Sequence, residues 1–450
     1  MKPMNLIFSR GTIIIRDPPD KISSTAVYDE RIQAFRAPAY EYSTLKKEYP
    51  EAEDMVFEAQ EGLKLSHKEK LRSYQQKAID MWSGNNMRGI VVLPTAAGKT
   101  HIGIDAIARL SVSTIIIAPT IELIQQWRTK LQDTLGIEVG QIGGGEKDIR
   151  PITVCTYDSA YLMAEELGNK FKFLLVDEVH HLASERYGEI ARMFASPYRL
   201  GLTATFERLD MLHEKLEITM GGKIFELGYE ELTEFLAGYD IVRIPVDLEQ
   251  EEEEEYEKNR QIFTSYLRKH RITMSGPWDF EKFIMSSWNP DGREALMAWR
   301  KAREIAFSAR IKVDAVRYVL SQNRGKKTLI FAEDTATAYL VSKEFLVPCI
   351  TYLTPGPERK KYFEMFRSGQ VSVLATSRVL DEGIDVPDAT VGIVLSGSGS
   401  TRQFRQRLGR LLRQSEGKHS ILYEVVAKGT SEYSTSRRRR KGVPGSTNDS

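Results

Sequence analysis

Several residue groups in this chain stand at spacings that serve phosphate chemistry. The stretch GIVVLPTAAGKT, residues 89–100, closes on Gly98, Lys99 and Thr100, the end of the pattern G-x-x-x-x-G-K-[ST]. Leu93 stands where that pattern carries its first glycine. Thr95, Ala96, Ala97 and Gly98 keep the loop small-sided, so successive backbone N–H groups can converge on phosphate oxygens at a helix start, where the helix dipole favours negative charge. Lys99 supplies a point charge for the β and γ phosphates, and the Thr100 hydroxyl a ligand for magnesium. A chance G-K-T at a helix start would explain this loop taken alone.

The second group is FKFLLVDEVHH, in which an apolar strand delivers Asp177 and Glu178 to its carboxyl end, where open α/β sheets bind ligands. Adjacent carboxylates divide the work naturally: Asp177 would hold magnesium through water, and Glu178 would orient or deprotonate the water that attacks the γ-phosphate, although a polar strand end capping the next helix has the same residues. A third stretch, RLGLTAT, ends in Thr203 and Thr205, hydroxyls that either relay the state of the phosphate site or simply make a turn. A fourth, RQFRQRLGRLLR, spaces Arg407, Arg410 and Arg413 three apart, on roughly one helical face. An arginine brought from a second domain would stabilise charge developing on the γ-phosphoryl group, with Gln406 bonding nucleotide or water, although an ordinary basic helix has the same pattern.

Positioning these groups requires a particular scaffold. From about residue 65 to 245 the apolar runs GIVVL, STIIIAPT, ITVCTY, KFLLVDE and YRLGLTAT alternate with helical patterns, which predicts a parallel sheet with helices on its faces. The alternation stops over 248–305, a helical stretch with Trp278, Trp288 and Trp299, and returns with KTLIFAED, VSVLATS, VGIVLSGSG and ILYEVV. Residues 1 to about 60 mix short strand-like runs with the turn DPPD and read as a separate small domain. The expected boundaries are 1–62, 63–245, 246–305, 306–435 and a basic disordered tail, 436–450.

Composition limits the function classes. The 450 residues suffice for about three domains. With 41% hydrophobic and 28% charged residues the chain is expected to be a soluble globular protein, and a net charge of +1 leaves any polyanion contact to local patches. Two cysteines, Cys155 and Cys349, build neither a metal site nor a disulfide framework, which points to a reducing, cytoplasmic setting. No export signal and no apolar run of about 20 residues is present in the sequence, so no membrane association is expected. The acidic run EQEEEEEYEKNR suits a solvated helix start, and the basic end SRRRRKGVPGSTNDS suits either phosphate contact or a solvated tail.

The stretches LPTAAGKT, APTIELIQQW, DEVHH, LTAT, LATSRVLDEGIDVPDA and QRLGRLLR follow the order of the superfamily 2 helicase motifs across most of residues 70–415. The DEVH form, LRSYQQKAI and SGSGSTRQFRQRLGR resemble the XPB helicase family, and YDERIQAFRAPAY resembles its compact archaeal members. The resemblance implies an α/β fold with two RecA-like domains, ATP in the cleft between them, a helical thumb-like insert and a small N-terminal α+β domain for damage recognition. In that superfamily a residue other than glycine at the position of Leu93 is ordinary. By resemblance, Lys99 and Thr100 bind phosphate and Mg2+, Asp177 and Glu178 serve metal and water, and Arg410 and Arg413 reach the γ-phosphate. Gln75 matches an adenine-reading position, Gly383 and Asp385 a motif lining the cleft, and Thr376 a contact to the strand backbone. Where the family carries an Arg-Glu-Asp loop, FERLD gives Arg208, Leu209 and Asp210, which favours translocation or remodelling over robust unwinding.

In the insert, Arg268, Lys269, His270 and Arg271 offer positive charge for phosphates, with aromatics for stacking; a solvated face and core tryptophans explain the same residues. The expectation is therefore a DNA-dependent ATPase with 3′ to 5′ polarity by family, acting on single-stranded or forked DNA in excision repair or transcription. It would work as a monomer or hetero-complex, with a protein partner such as a repair nuclease. The rival readings are an RNA-directed remodeller and a nucleotide-dependent scaffold with little unwinding.

Overall fold

The computed structural model describes residues 4–18, 21–58, 62–67, 69–95, 97–206, 214–228, 231–232, 238–274, 277–377, 389–395 and 419–439. The chain divides into two compact units, Met1–Gly228 and Tyr229–Ser450. Among the described residues no helix is long and apolar enough to cross a membrane.

The first unit opens with five short strands, β1 (Asn5–Ser9), β2 (Thr12–Arg16), β3 (Val27–Asp29), β4 (Ala34–Pro38) and β5 (Glu53–Met55), in the order β3-β4-β2-β1-β5. All neighbours are antiparallel except β1 and β5, and the helix Tyr42–Glu48 packs Leu45 under the sheet. This domain has its own core and touches the domain that follows it. Its core takes in Ala195, and the Asn169 side-chain amide donates to the Val56 carbonyl at 3.0 Å.

The rest of the unit is an eight-stranded sheet: β6 (Arg88–Val92), β7 (Thr114–Ala118), β8 (Gly140–Gly143), β9 (Glu146–Asp148), β10 (Ile152–Thr156), β11 (Phe173–Asp177), β12 (Tyr198–Thr203) and β13 (Lys223–Glu226). Their order is β13-β6-β12-β11-β7-β10-β8-β9, parallel throughout except for the β8–β9 pair. Strands such as TIIIA and FLLVD are buried at every position because helices cover both faces. The spatial order matters more than the strand count: β12 lies between β6 and β11, so the segments that follow these three strands emerge side by side at the carboxyl edge.

The second unit holds a six-stranded parallel sheet, β14 (Gly238–Val246), β15 (Thr328–Phe331), β16 (Cys349–Ile350), β17 (Val373–Thr376), β18 (Val391–Val394) and β19 (His419–Ala427), in the order β14-β19-β18-β15-β17-β16. The sequence reading had the first α/β region running to 245, yet β14 pairs with β19 from Gly238 to Val246. Sequence alternation alone cannot say which sheet a strand joins. The tail expected from 436 instead begins inside a helix: Ser431–Arg439 packs on β19, where the buried Ser436 hydroxyl donates to Glu424 Oε2 at 2.6 Å.

Between β14 and β15 lie the helices Gln250–Lys269, Pro277–Ser286, Pro290–Ser308 and Ile311–Gln322. The first begins in a capping box formed by Glu249 and Glu252, so the acidic run does serve a helix start. It seats Tyr256 against Ala302, Ile305 and Ala306 of the third.

Candidate active site

The loop after β6 meets the helix Lys99–Leu110 at Gly98, which caps it in a left-handed conformation (φ 74°). A side chain is disfavoured there on two grounds. The conformation disfavours one, and an added Cβ would stand 2.5 Å from the Gln75 amide nitrogen. Leu93 needs no such freedom, since its φ is not positive; its side chain is fully buried and its N–H donates to the Thr203 carbonyl at 2.9 Å. The missing first glycine therefore costs this loop nothing.

Gln75, 4% exposed on the helix Ser73–Gly84, braces the loop from behind. Its amide nitrogen donates to the carbonyls of Ala97 (3.2 Å) and Gly98 (3.3 Å), while its oxygen accepts from the Arg72 N–H at 2.9 Å. Tyr74 adds a hydroxyl bond to the Ala97 carbonyl at 2.8 Å. Lys99 folds back so that Nζ donates to the Leu93 carbonyl at 3.1 Å, a single bond that a phosphate oxygen can replace. Thr95 and Thr100 are half-buried at the loop's two ends; Ala96 lies outside the described residues.

Asp177 ends β11 and is 8% exposed. Its Oδ2 accepts from the Trp127 indole N–H at 2.9 Å and its Oδ1 from the Glu178 N–H at 3.0 Å. Burial, and next the charge of Glu178, push its carboxyl up to about 6; the Trp127 bond, the Lys99 charge and the Glu178 N–H oppose that rise. A buried carboxylate beside a half-buried one forms an environment that a divalent cation would relieve, and oxygen donors suit magnesium. Glu178 itself adopts φ 50° and ψ 51°, unusual for a residue with a Cβ, and the Tyr157 hydroxyl bridges the carbonyls of Asp177 (2.9 Å) and Glu178 (3.0 Å).

Thr203, at the end of β12, touches both sides. Its Oγ lies 3.4 Å from Glu178 Oε2, 2.9 Å from His180 Nδ1 and 2.8 Å from the Thr205 carbonyl, and it accepts from the Thr205 N–H at 3.2 Å. One hydroxyl proton cannot satisfy every acceptor around it, so its direction depends on what Glu178 and His180 are doing. The loop, the carboxylate pair and the threonine are thus brought together on three adjacent strands.

In the second unit Thr376 ends β17, fully buried, with its hydroxyl donating to the Ser377 carbonyl at 2.8 Å. Arg208, Asp210, Gly383, Asp385, Gln406, Arg410 and Arg413 lie outside the described residues. Arg268, Lys269 and Arg271 are exposed at the end of the helix Gln250–Lys269, where Lys269 Nζ pairs with Asp291 at 2.9 Å. Sequence reasoning passed over Trp127, legible only as an apolar helix position. Trp288, left open between core and stacking readings, is 93% exposed between two helices of the insert.

Comparison with known proteins places these pieces. Residues 68–208 match the family described as type III restriction enzyme, res subunit, residues 311–415 the helicase conserved C-terminal domain, and residues 6–57 the Xeroderma pigmentosum group B helicase damage recognition domain. The helicase domain of Hef from Pyrococcus furiosus superposes with a TM-score of 0.56 at 18% identity, covering 82% of this chain and 98% of that one, which establishes the fold. The putative DNA 3′–5′ helicase Rad25 of Haloarcula marismortui is 30% identical over 87% of this chain, which spans 58% of that longer protein. The DNA 3′–5′ translocase XPB2 of Sulfurisphaera tokodaii is 41% identical over 92% of this chain and 95% of its own length. Identity sustained over nearly the full length of both chains, with the damage recognition domain in place, means that this chain belongs to the XPB helicase family.

Proposed function

We propose that this chain is an ATP-dependent DNA translocase and helicase that moves 3′ to 5′ and serves DNA repair, transcription or both. The observation that carries the reading is the convergence at one sheet edge of a glycine-capped phosphate loop, a buried Asp177–Glu178 pair and the Thr203 hydroxyl. In this reading Gly98 and its neighbours present N–H groups to the phosphates of ATP, and Lys99 exchanges the Leu93 carbonyl for a phosphate oxygen. Asp177 and Thr100 would hold Mg2+, which when bound neutralises the phosphate charge. Glu178 orients the attacking water, and Thr203 turns its hydroxyl as Glu178 changes partners. Arg410 and Arg413 are assigned the γ-phosphate, with Gln406, Gly383 and Asp385 beside the nucleotide.

The exposed Arg268, Lys269 and Arg271 would meet DNA phosphates, whereas Thr376, expected at the strand backbone, is fully buried with its hydroxyl on the Ser377 carbonyl and is given no such contact. Arg208 and Asp210, without the intervening glutamate, suit translocation or remodelling more than strand separation. A repair nuclease remains the proposed partner. The test compares hydrolysis with single-stranded DNA, duplex DNA and RNA at one salt concentration, alongside Lys99→Ala. DNA-stimulated turnover, abolished by that substitution while DNA binding stays within about a few-fold, is the expected result. Stimulation by RNA alone, or hydrolysis retained by Lys99→Ala, would overturn the reading.

A further inference from the structure

A strap of chain ahead of the helix Ser73–Gly84 runs antiparallel along the helix Lys99–Leu110. The Leu65 N–H donates to the Ser111 hydroxyl at 3.2 Å, His67 lies opposite Asp105, and Glu69 lies opposite His101. His67 and Glu69 thus face Asp105 and His101, which stand four apart on one face of the helix.

The His67 side chain is 2% exposed. Its Nδ1 stands 3.3 Å from Asp105 Oδ1, and Asp105 Oδ2 accepts from Arg109 Nε at 2.6 Å. A carboxylate only accepts, so a proton sits on Nδ1, and in the neutral ring the lone pair is then on Nε2. That Nε2 is buried without a hydrogen-bond partner, with Glu69 Oε2 at 3.9 Å, and the same carboxylate oxygen lies 2.9 Å from His101 Nδ1. Donor atoms of His67, Glu69 and His101 all fall within 4.8 Å of one another. Ligands about 2.0–2.1 Å from a tetrahedral zinc stand about 3.4 Å apart; the Glu69 oxygen already lies 3.9 and 2.9 Å from the two imidazole nitrogens, and bringing those nitrogens together falls to the half-exposed His101 side chain.

We propose that His67 Nε2, His101 Nδ1 and a Glu69 carboxylate oxygen bind one zinc-class divalent cation, with Asp105 as the carboxylate that orients His67. Two imidazoles and one carboxylate suit zinc or its first-row neighbours, whereas magnesium and calcium favour oxygen ligands. The arrangement of Asp105, His67 and an aimed lone pair is the one by which proteins fix the tautomer of a metal-binding histidine. The bound cation ties the strap to the helix immediately after Thr100, fastening the phosphate-loop helix to the segment that carries Gln75.

The test uses the tag-free full chain, stripped with a chelator and titrated with Co2+ in excess magnesium without nucleotide. Visible ligand-field bands saturating at one equivalent, displaced by Zn2+, and a melting temperature that rises with Zn2+ are expected. Both cysteines are buried and do not compete. His67→Ala and His101→Ala should weaken binding by about 100-fold or more, and Asp105→Asn by about 10–100-fold. If His67→Ala fails to fold, Glu69→Gln, altered at an exposed side chain, decides by the same titration. No stoichiometric binding to the wild-type chain overturns the proposal, as does binding unchanged in these variants.

Discussion

Replacing Trp127 by phenylalanine removes one hydrogen bond and leaves a ring in the same place. The indole N–H is the donor to Asp177 Oδ2, 2.9 Å away in a buried setting. Hydrogen bonds to charged groups are worth about 1.5–3 kcal/mol, and 1.36 kcal/mol is one pKa unit, so at the lower end of that range the carboxyl should rise by roughly one unit above about 6. The sign follows from the ionised form losing its donor. Because the folded value already lies above the ordinary 3.8, this group favours the folded state fully below about pH 4, and that contribution fades as pH climbs through 6. The substitution moves the upper edge of that window to about pH 7. At pH 7 the ionised fraction would fall from about nine-tenths to about half. If Asp177 must be ionised to hold the cation, the acid limb of kcat/KM for ATP hydrolysis, which reports the free enzyme, moves up by about one pH unit, with activity recovering near pH 8.5. An activity loss of equal size at every pH would refute the electrostatic argument and leave Trp127 as packing against the helix Lys99–Leu110.

The other predictions test separate parts of the chain. Gly98→Ala should cost about 1–2 kcal/mol for the left-handed backbone, and should also displace the Gln75 amide that an added Cβ would crowd at 2.5 Å; KM for ATP rises, and an unchanged KM would contradict the loop geometry. Glu432→Ala strands the buried Lys312, whose Nζ donates to both carboxylate oxygens (2.7 and 2.9 Å) and to the Leu395 carbonyl (2.6 Å). A loss of about 3–5 kcal/mol is expected, seen as a fall of about 10 °C in the melting of the second unit, and largely recovered in the double variant Lys312→Met, Glu432→Leu. Trp288→Ala should leave the melting curve unchanged while weakening single-stranded DNA binding by about 1–3 kcal/mol, and unchanged affinity would show that this exposed ring stacks on no base.

Much of the architecture was legible because it is written in local periodicity. Each apolar run from GIVVL to ILYEVV became a parallel strand, since β-branched runs buried on both faces carry their own pattern. The acidic run at 250 was legible for the same reason, as carboxylates at a helix start. Strand membership was not: β14 reads like the end of the first α/β region, and only its pairing with β19 assigns it to the second sheet. The helix Ser431–Arg439 escaped because its polar composition resembles a tail until Glu432 and Ser436 find partners inside the fold.

The sequence by itself determined which chemistry this protein commands, because Gly98-Lys99-Thr100 and Asp177-Glu178 are contiguous groups whose meaning depends on residues one or two positions apart. Only the tertiary structure decided how that chemistry is tuned. The partner of Asp177 is Trp127, fifty positions earlier, the brace of the loop is Gln75, and the carboxylate that orients His67 is Asp105. Pairings of this kind arise from the order in which strands are laid down and from burial that strips competing water away, and neither quantity is carried by a residue's neighbours in the chain.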